Sequence, residues 1–464
     1  MLRWPQSVLA NDVHEVNGRN NTPNGQVKEA VCHHHPMDEA PGLQYLSSHG
    51  RQRTGNDVIF SWLARYRHAK EAGADAVNGT VGAMLEDDGA LAINATVDAA
   101  LRRAPAAEFA AYAPLKGLPD YLDLSVTLAL GEHRSALESL GLNHMATATP
   151  GGSGALFLAA SCFAERDDRV LLRDRHWGPY KGFLRGVGLG WTTYPLLPET
   201  TDTNEPFFHR AGFESGLASL VNDQSKVMVW VNDPAHNPTG LSLPGLSRAA
   251  MLESFMESAL RHEHIGHTLL IDAAYHLYAD EPHGWAATLF EAMDSGWPWP
   301  ENMLVCVALS LSKSHTAYGL RAGALICLHP DAEALEALRE IMGVTGRETW
   351  SAAPRLAQYT FANLHAEASA GAAWADERDR MAEMLDERRS LFVAACEKRG
   401  VSINPTHDGF FAWFECENAQ DVAESCAQHH VYLVPLEGGV RIGLCAIPAH
   451  QVDRVAQALA DAQG

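Results

Sequence analysis

Met303-Leu-Val-Cys-Val-Ala-Leu-Ser310-Leu-Ser312-Lys313-Ser-His-Thr-Ala-Tyr-Gly-Leu-Arg321 joins a short apolar, β-branched run to a hydroxyl-rich segment without periodicity. The run from Met303 to Leu309 reads as a buried parallel strand. Lys313 then stands at or just past the strand's carboxyl end, the edge of an open α/β sheet where ligands bind. Burial at that edge lowers an ammonium pKa and makes the amine a nucleophile towards carbonyls. Ser310, Ser312 and Arg321 supply hydroxyls and a guanidinium fork, a set that suits a phosphate dianion better than a neutral ligand. The competing reading is a solvated loop lysine, the common case for an arbitrary Ser-x-x-Lys, so the surrounding chain has to decide.

Upstream, strand and helix patterns alternate. Met145-Ala-Thr-Ala-Thr-Pro150-Gly151-Gly152-Ser153-Gly154-Ala-Leu-Phe is a strand, a glycine-rich turn and an apolar helix whose first N–H groups face an anion, with Ser153 adding a hydroxyl. It lacks both the Gly-Lys-Ser/Thr ending of a nucleotide loop and the Gly-x-Gly-x-x-Gly spacing of a dinucleotide site. Lys226 to Val231 reads as a strand running into Asn232-Asp-Pro-Ala-His-Asn237-Pro-Thr-Gly240, and Thr268-Leu-Leu-Ile-Asp272-Ala-Ala-Tyr275 as a strand ending in a carboxylate. A buried Asp272 is costly unless it meets a cation. This alternation predicts an α/β fold: a large domain with a mostly parallel sheet flanked by helices. The strand, helix and strand patterns near the C-terminus, joined by N-terminal segments, predict a smaller α+β domain. The expected boundaries are an extension at 1–50, partly mobile, small-domain segments at 51–110 and 346–464, and the large domain at 111–345.

Thirty-five Lys and Arg against 57 Asp and Glu leave a net charge of −22, which repels phosphate backbones and argues against a nucleic-acid partner. No apolar run approaches the roughly 18 residues needed to span a bilayer, and the first residues lack the core of a secretion signal, so a cytoplasmic protein without a membrane partner is expected. Eight scattered cysteines with no Cys-x-x-Cys pair read as reduced core thiols. Cys32-His33-His34-His35 lies in the aperiodic extension and reads as incidental, so no metal is expected. A lysine at a strand end beside a phosphate-binding set suggests pyridoxal 5′-phosphate.

Taken together, Asn237-Pro-Thr-Gly, Asp272-Ala-Ala-Tyr275, Ser310-Leu-Ser-Lys313 and Arg321, eight residues after the lysine, resemble the class I, fold-type I pyridoxal-phosphate aminotransferases, the aspartate and aromatic aminotransferase group. The resemblance runs in the family's order from about Val77 to the C-terminus. It implies a homodimeric enzyme moving an amino group between an amino acid and a 2-oxo acid, with glutamate and 2-oxoglutarate as one pair. It makes Lys313 the internal-aldimine lysine and proton carrier, and Asp272 the partner of the cofactor's pyridinium nitrogen, which keeps the ring an electron acceptor. Asn237 and Tyr275 match donors to the ring's O3′, Trp177 the aromatic stacked on the ring, and Gly152, Ser153, Ser310 and Arg321 the phosphate cup. Tyr112 matches a tyrosine that reaches the neighbouring subunit's phosphate. For substrate, Arg441 matches the arginine that forks the α-carboxylate, Gly82 the glycine that leaves room beside it, and Arg347 the arginine that crosses the dimer to a distal carboxylate. The residues alone leave a turn glycine open for Gly82 and a surface arginine for Arg441. Ala352-Ala-Pro stands where the family has Asn-Pro-Pro, and Ser153 where it commonly has threonine. A pyridoxal-phosphate lyase or decarboxylase of the same fold would share nearly every cofactor residue and is the alternative.

Overall fold

The central strands of the large sheet are buried at nearly every position, and that continuous burial shows how the molecule is layered. The computed structural model describes residues 45–47, 50, 53, 57–199 and 204–463, and the architecture below is that of the unit Asn56–Gly464. The Cys32–His35 cluster and most of the 1–50 extension lie outside the described residues.

After a short first strand, β1 (Val77–Asn78), come the seven strands of the large sheet: β2 (Asn143–Pro150), β3 (Arg169–Arg173), β4 (Gly190–Tyr194), β5 (Lys226–Asn232), β6 (Gly266–Asp272), β7 (Met303–Ser310) and β8 (Ala322–His329). Their order is β2-β8-β7-β6-β5-β3-β4, and only β8 runs against its neighbours. In β5, Val227, Val229 and Val231 join one hydrophobic core while Met228 and Trp230 join another on the opposite face. Side chains leave a strand alternately to its two faces, so a strand apolar at every position needs cover on both. Helices Pro119–Leu130 and Gly245–Arg261 pack into the first core, and Gly151–Phe163 and Ala332–Thr349 into the second.

A further core gathers Val77 with residues far along the chain, among them Phe392, Phe414, Val440, Ile442 and Leu459. It lies between the helices Ala368–Arg399 and Val452–Gln463 and a three-stranded antiparallel sheet made of β9 (Phe411–Glu415), β11 (Val434–Leu436) and β12 (Gly439–Gly443). The intervening β10 (Val431–Tyr432) pairs parallel with β1, tying the start of the fold to its end.

Two features of the helices after β8 need a physical reason. The helix after β8 continues through Arg347 to Thr349 although it contains Gly343 and Gly346, both of them buried, so packing holds it where helix propensity is weak. The helical tract towards Arg399 is two helices, Arg355–Ala366 and Ala368–Arg399. The break carries neither Gly nor Pro. It falls where the chain turns so that Phe361, Leu364 and Trp374 can all enter the large-sheet core.

Candidate active site

Strands β5, β6 and β7 end side by side, and their last residues, Asn232, Asp272 and Ser310, line one chamber with Lys313, Asn237, Tyr275, Trp177 and Arg441. The chamber lies at the carboxyl edge of the parallel strands, where such sheets hold ligands.

Lys313 sits in a single helical turn, Leu311–Ser314, that starts as β7 stops and is capped by the Ser310 hydroxyl, which accepts from the Ser312 N–H at 3.4 Å. Its Nζ donates to the Gly82 carbonyl at 3.0 Å and stands 4.8 Å from the centre of the Tyr318 ring and 5.5 Å from that of Tyr275. Burial lowers the amine's pKa to about 8, and the positive charges of Arg321 and Arg441 push the same way.

Asp272 is 4 % exposed. Its Oδ2 accepts from the Tyr180 hydroxyl at 2.5 Å and its Oδ1 from the Ala274 N–H at 3.2 Å. Burial raises its pKa to about 6, against the opposing pull of the Tyr180 hydrogen bond. Asn237 Nδ2 stands 3.4 Å from the Tyr275 hydroxyl, and Asn237 Oδ1 has no partner among the described residues. The loop that carries Asn237 is clamped by Asn232, whose amide donates to the Asp272 carbonyl at 2.8 Å while its oxygen accepts from the Asn237 N–H at 2.6 Å.

The opposite end of the chamber is built for an anion. The helix Gly151–Phe163 starts without a side-chain cap, leaving its first N–H groups open. Gly151 has φ +75, and a Cβ there would stand 2.5 Å from Arg321 Nη2; one on Gly152 would stand 3.0 Å from the Ser310 Cβ. No carboxylate pairs with Arg321 among the described residues; Nη1 donates to the Ser312 hydroxyl at 3.2 Å and to the Tyr318 carbonyl at 2.9 Å.

Arg441, on β12, closes the third side. It is 2 % exposed, stacks 4.5 Å over the Phe411 ring and donates through Nη2 to the Thr80 carbonyl at 2.7 Å, while Nε has no partner among the described residues. Burial lowers its pKa. Gly82 lies against the same ring, where a Cβ would meet Phe411 Cζ at 3.0 Å.

Of the residues singled out in the sequence, Gly82, Gly152, Ser153, Trp177, Asn237, Asp272, Tyr275, Ser310, Ser312, Lys313, Arg321 and Arg441 line this chamber. Tyr112 and Arg347 do not. Tyr112 is 87 % exposed, and Arg347 lies on the outer face of its helix, donating to the Ser351 hydroxyl. The sequence reading missed Tyr180, Tyr318, Phe411, the Asn232 clamp and the start of the helix Val58–Glu71, whose Ile59 and Phe60 reach the chamber. Asn232, a polar residue ending an apolar strand, carried a usable signal; Tyr180 did not, since an aromatic near a helix start is ordinary.

A lysine, a buried acid and an anion cup around one chamber in a mostly parallel sheet define a fold-type I pyridoxal-phosphate enzyme. Residues 74–459 match the family described as aminotransferase class I and II, and the chain belongs to that family. It is 29% identical over 325 residues to the aromatic-amino-acid aminotransferase of Pseudomonas aeruginosa, covering 68% of this chain and 74% of that one. It is 25% identical to the aromatic-amino-acid aminotransferase of Escherichia coli K12, over 87% of this chain and 97% of that one. In fold it is similar to an aminotransferase from Anaerococcus prevotii, with a TM-score of 0.82 and 24% identity over 90% of this chain and 98% of that one. The cytoplasmic aspartate aminotransferase of Saccharomyces cerevisiae follows with a TM-score of 0.74 and 20% identity, over 90% and 98% of the two chains. The enzyme is therefore an aminotransferase, and the family's cofactor is pyridoxal phosphate. The chamber fits that group: the uncapped helix, the two glycines without room for a Cβ and the acid-free Arg321 suit its phosphate, and the buried Asp272 suits a cationic ring nitrogen.

Proposed function

We propose that this aminotransferase works through Lys313, with the other chamber residues in the roles that follow. Bound in the chamber, pyridoxal phosphate supplies an aldehyde for amines and a ring that accepts the electrons released at the substrate's Cα. Lys313 Nζ would be the amine that holds the aldehyde and the group that would move a proton at the substrate's Cα. Its lowered pKa keeps a useful fraction of it neutral near pH 8. Asp272 holds the proton on the ring nitrogen, Asn237 and Tyr275 donate to the ring oxygen, and Trp177 covers a face of the ring. Gly152, Ser153, Ser310 and Arg321 hold the phosphate. Arg441 forks the substrate α-carboxylate, with Gly82 leaving space beside it.

The observation that carries this reading is the placing of one amine, Lys313 Nζ, in a chamber with a buried carboxylate on one side and an uncapped helix start on another. Lys313→Ala tests it. Borohydride reduction should fix the cofactor to the parent peptide containing residue 313, seen by mass spectrometry, and should leave the variant unlabelled and without turnover. Labelling of the variant, or more than trace activity in it, sinks the assignment.

A homodimer with shared sites completes the reading. Phe109, Tyr112, Ile341 and Val344 are exposed large hydrophobics. Contacts between Arg355 and Tyr112 and between Lys116 and Glu340 bring their segments onto one face. From that face Tyr112 and Arg347 would enter the chamber of a second copy, Arg347 to meet the distal carboxylate of glutamate or 2-oxoglutarate. The separate core that gathers Val77 with residues beyond 390 supports a smaller lobe built from both ends of the chain, with 111–345 as the larger. Among the described residues no helix is long and apolar enough to cross a membrane, and the unbridged Cys306 and Cys327 thiols, 3.5 Å apart, suit a reducing compartment such as the cytoplasm.

A further inference from the structure

Tyr180 has no part in the roles above, yet its hydroxyl makes the shortest hydrogen bond to Asp272, 2.5 Å from Oδ2. A distance of that size is typical of a neutral hydroxyl donating to an anion, about twice as strong as a bond between neutral groups. The phenol is 1 % exposed, and both burial and the adjacent carboxylate hold its pKa well above the usual value, so around neutral pH it keeps its proton and donates. Its ring is fixed by its surroundings. It packs edge-on against Trp230 of β5, with centroids 5.1 Å apart at 86°, and edge-on against Trp177, at 5.8 Å and 84°. The ring is therefore gripped by a tryptophan on a strand of the sheet and by another that lines the chamber.

Asp272 thus has each oxygen engaged from within the protein, Oδ2 by Tyr180 and Oδ1 by the Ala274 N–H. Two donors fix the carboxylate plane and stabilise its charged form. Without the phenol, the largest influence opposing the burial that drives this acid towards neutrality would be gone, leaving the Ala274 N–H and the charge of Lys313. A neutral acid could not hold a proton on a ring nitrogen opposite it, and the electron-accepting strength of the ring would fall.

We propose that Tyr180 is a positioning residue that aims Asp272 and keeps it an anion, so that the cofactor's ring nitrogen stays protonated. The proposal rests on the reading of Asp272 as the acid facing that nitrogen. Tyr180→Phe tests it, because the ring that packs on Trp230 and Trp177 is kept and only the hydroxyl is lost. Parent, Tyr180→Phe and Asp272→Asn proteins are loaded with pyridoxal phosphate carrying 15N in the ring, and the nitrogen resonance is followed between pH 6 and 9. The parent should show a protonated nitrogen, and Tyr180→Phe a resonance displaced towards the unprotonated position. Its kcat should fall roughly tenfold or more while KM for the amino acid changes little, as expected when a bond to a charged group is lost away from the substrate. An unchanged resonance in Tyr180→Phe, with a displaced one in Asp272→Asn, overturns the role of the tyrosine alone. An unchanged resonance in both overturns the reading of Asp272. A loss in Tyr180→Phe confined to thermal stability, with kcat and the resonance those of the parent, assigns the phenol to packing and also overturns the proposal.

Discussion

Asp272 shows how a single residue's surroundings turn composition into chemistry. Its carboxyl titrates near 6, raised by burial, whereas an unfolded chain's aspartate titrates near 3.9. Between those values the folded state binds more protons than the unfolded one, so this residue makes the cofactor-free protein lose stability as pH rises from about 4 through about 6. Asp272→Asn should remove that slope. Urea unfolding at pH 4, 5, 6 and 7 checks it: a variant curve parallel to the parent's would mean that Asp272 is not the buried titrating acid. Arg347 is the contrasting case, exposed in its own chain and proposed to serve a second copy. Its removal should cost dicarboxylate substrates alone, at least tenfold in kcat/KM if it forms one half of a desolvated charge pair. An equal loss for monocarboxylic and aromatic substrates would make it structural. Arg347 was legible as a residue type at a family position, but its orientation was not, because which face of its helix stays exposed is set by what packs on the other faces.

At the scale of elements, the strands whose ends line the chamber were the most legible part of the chain. Each of β5, β6 and β7 is an apolar run closed by a polar residue, and a buried two-sided strand leaves few other ways to write that pattern. What holds their ends together was not legible. Asn232 bridges β6 and the Asn237 loop with one side chain, and its partners are 5 and 40 residues away in sequence. Asn232→Leu would leave the Asp272 carbonyl and the Asn237 N–H without that partner, at a cost of about 1 to 3 kcal/mol for each buried group stranded. The midpoint of thermal unfolding should fall by several degrees, and affinity for the cofactor should fall with it as Asn237 loses its place. A variant with parent stability and parent cofactor affinity would show that the loop is held by its other contacts, chiefly the buried pair of Asp233 with Arg248 at 2.9 Å. The break between the helices at Ala366 and Ala368 was equally hidden, since its cause is the packing of Trp374 rather than any local residue.

For the whole molecule the decisive expectation is that the site is shared. Neither Tyr112 nor Arg347 lines the chamber of its own chain. Mixing inactive Lys313→Ala chains with inactive Tyr112→Phe/Arg347→Ala chains should therefore regenerate one working site per hybrid dimer and restore part of the activity. No recovery despite verified subunit exchange would mean that each chain builds its site alone. By itself the sequence determined the alternation of strand and helix, the strand that ends in Asp272, the strand that ends just before Lys313, and the glycine-rich helix start, because hydrophobic periodicity and a glycine-rich turn are local and leave a direct trace in residue order. Only the tertiary structure decided that Arg441, more than 120 residues past Lys313, closes the same chamber, and that Val77 pairs with Val431 to join the two ends of the chain. Only it decided that Tyr180 stands behind Asp272, 92 residues away. Those contacts are set by which helical face covers which side of the sheet, a balance of burial summed over the whole core that no short stretch of sequence contains.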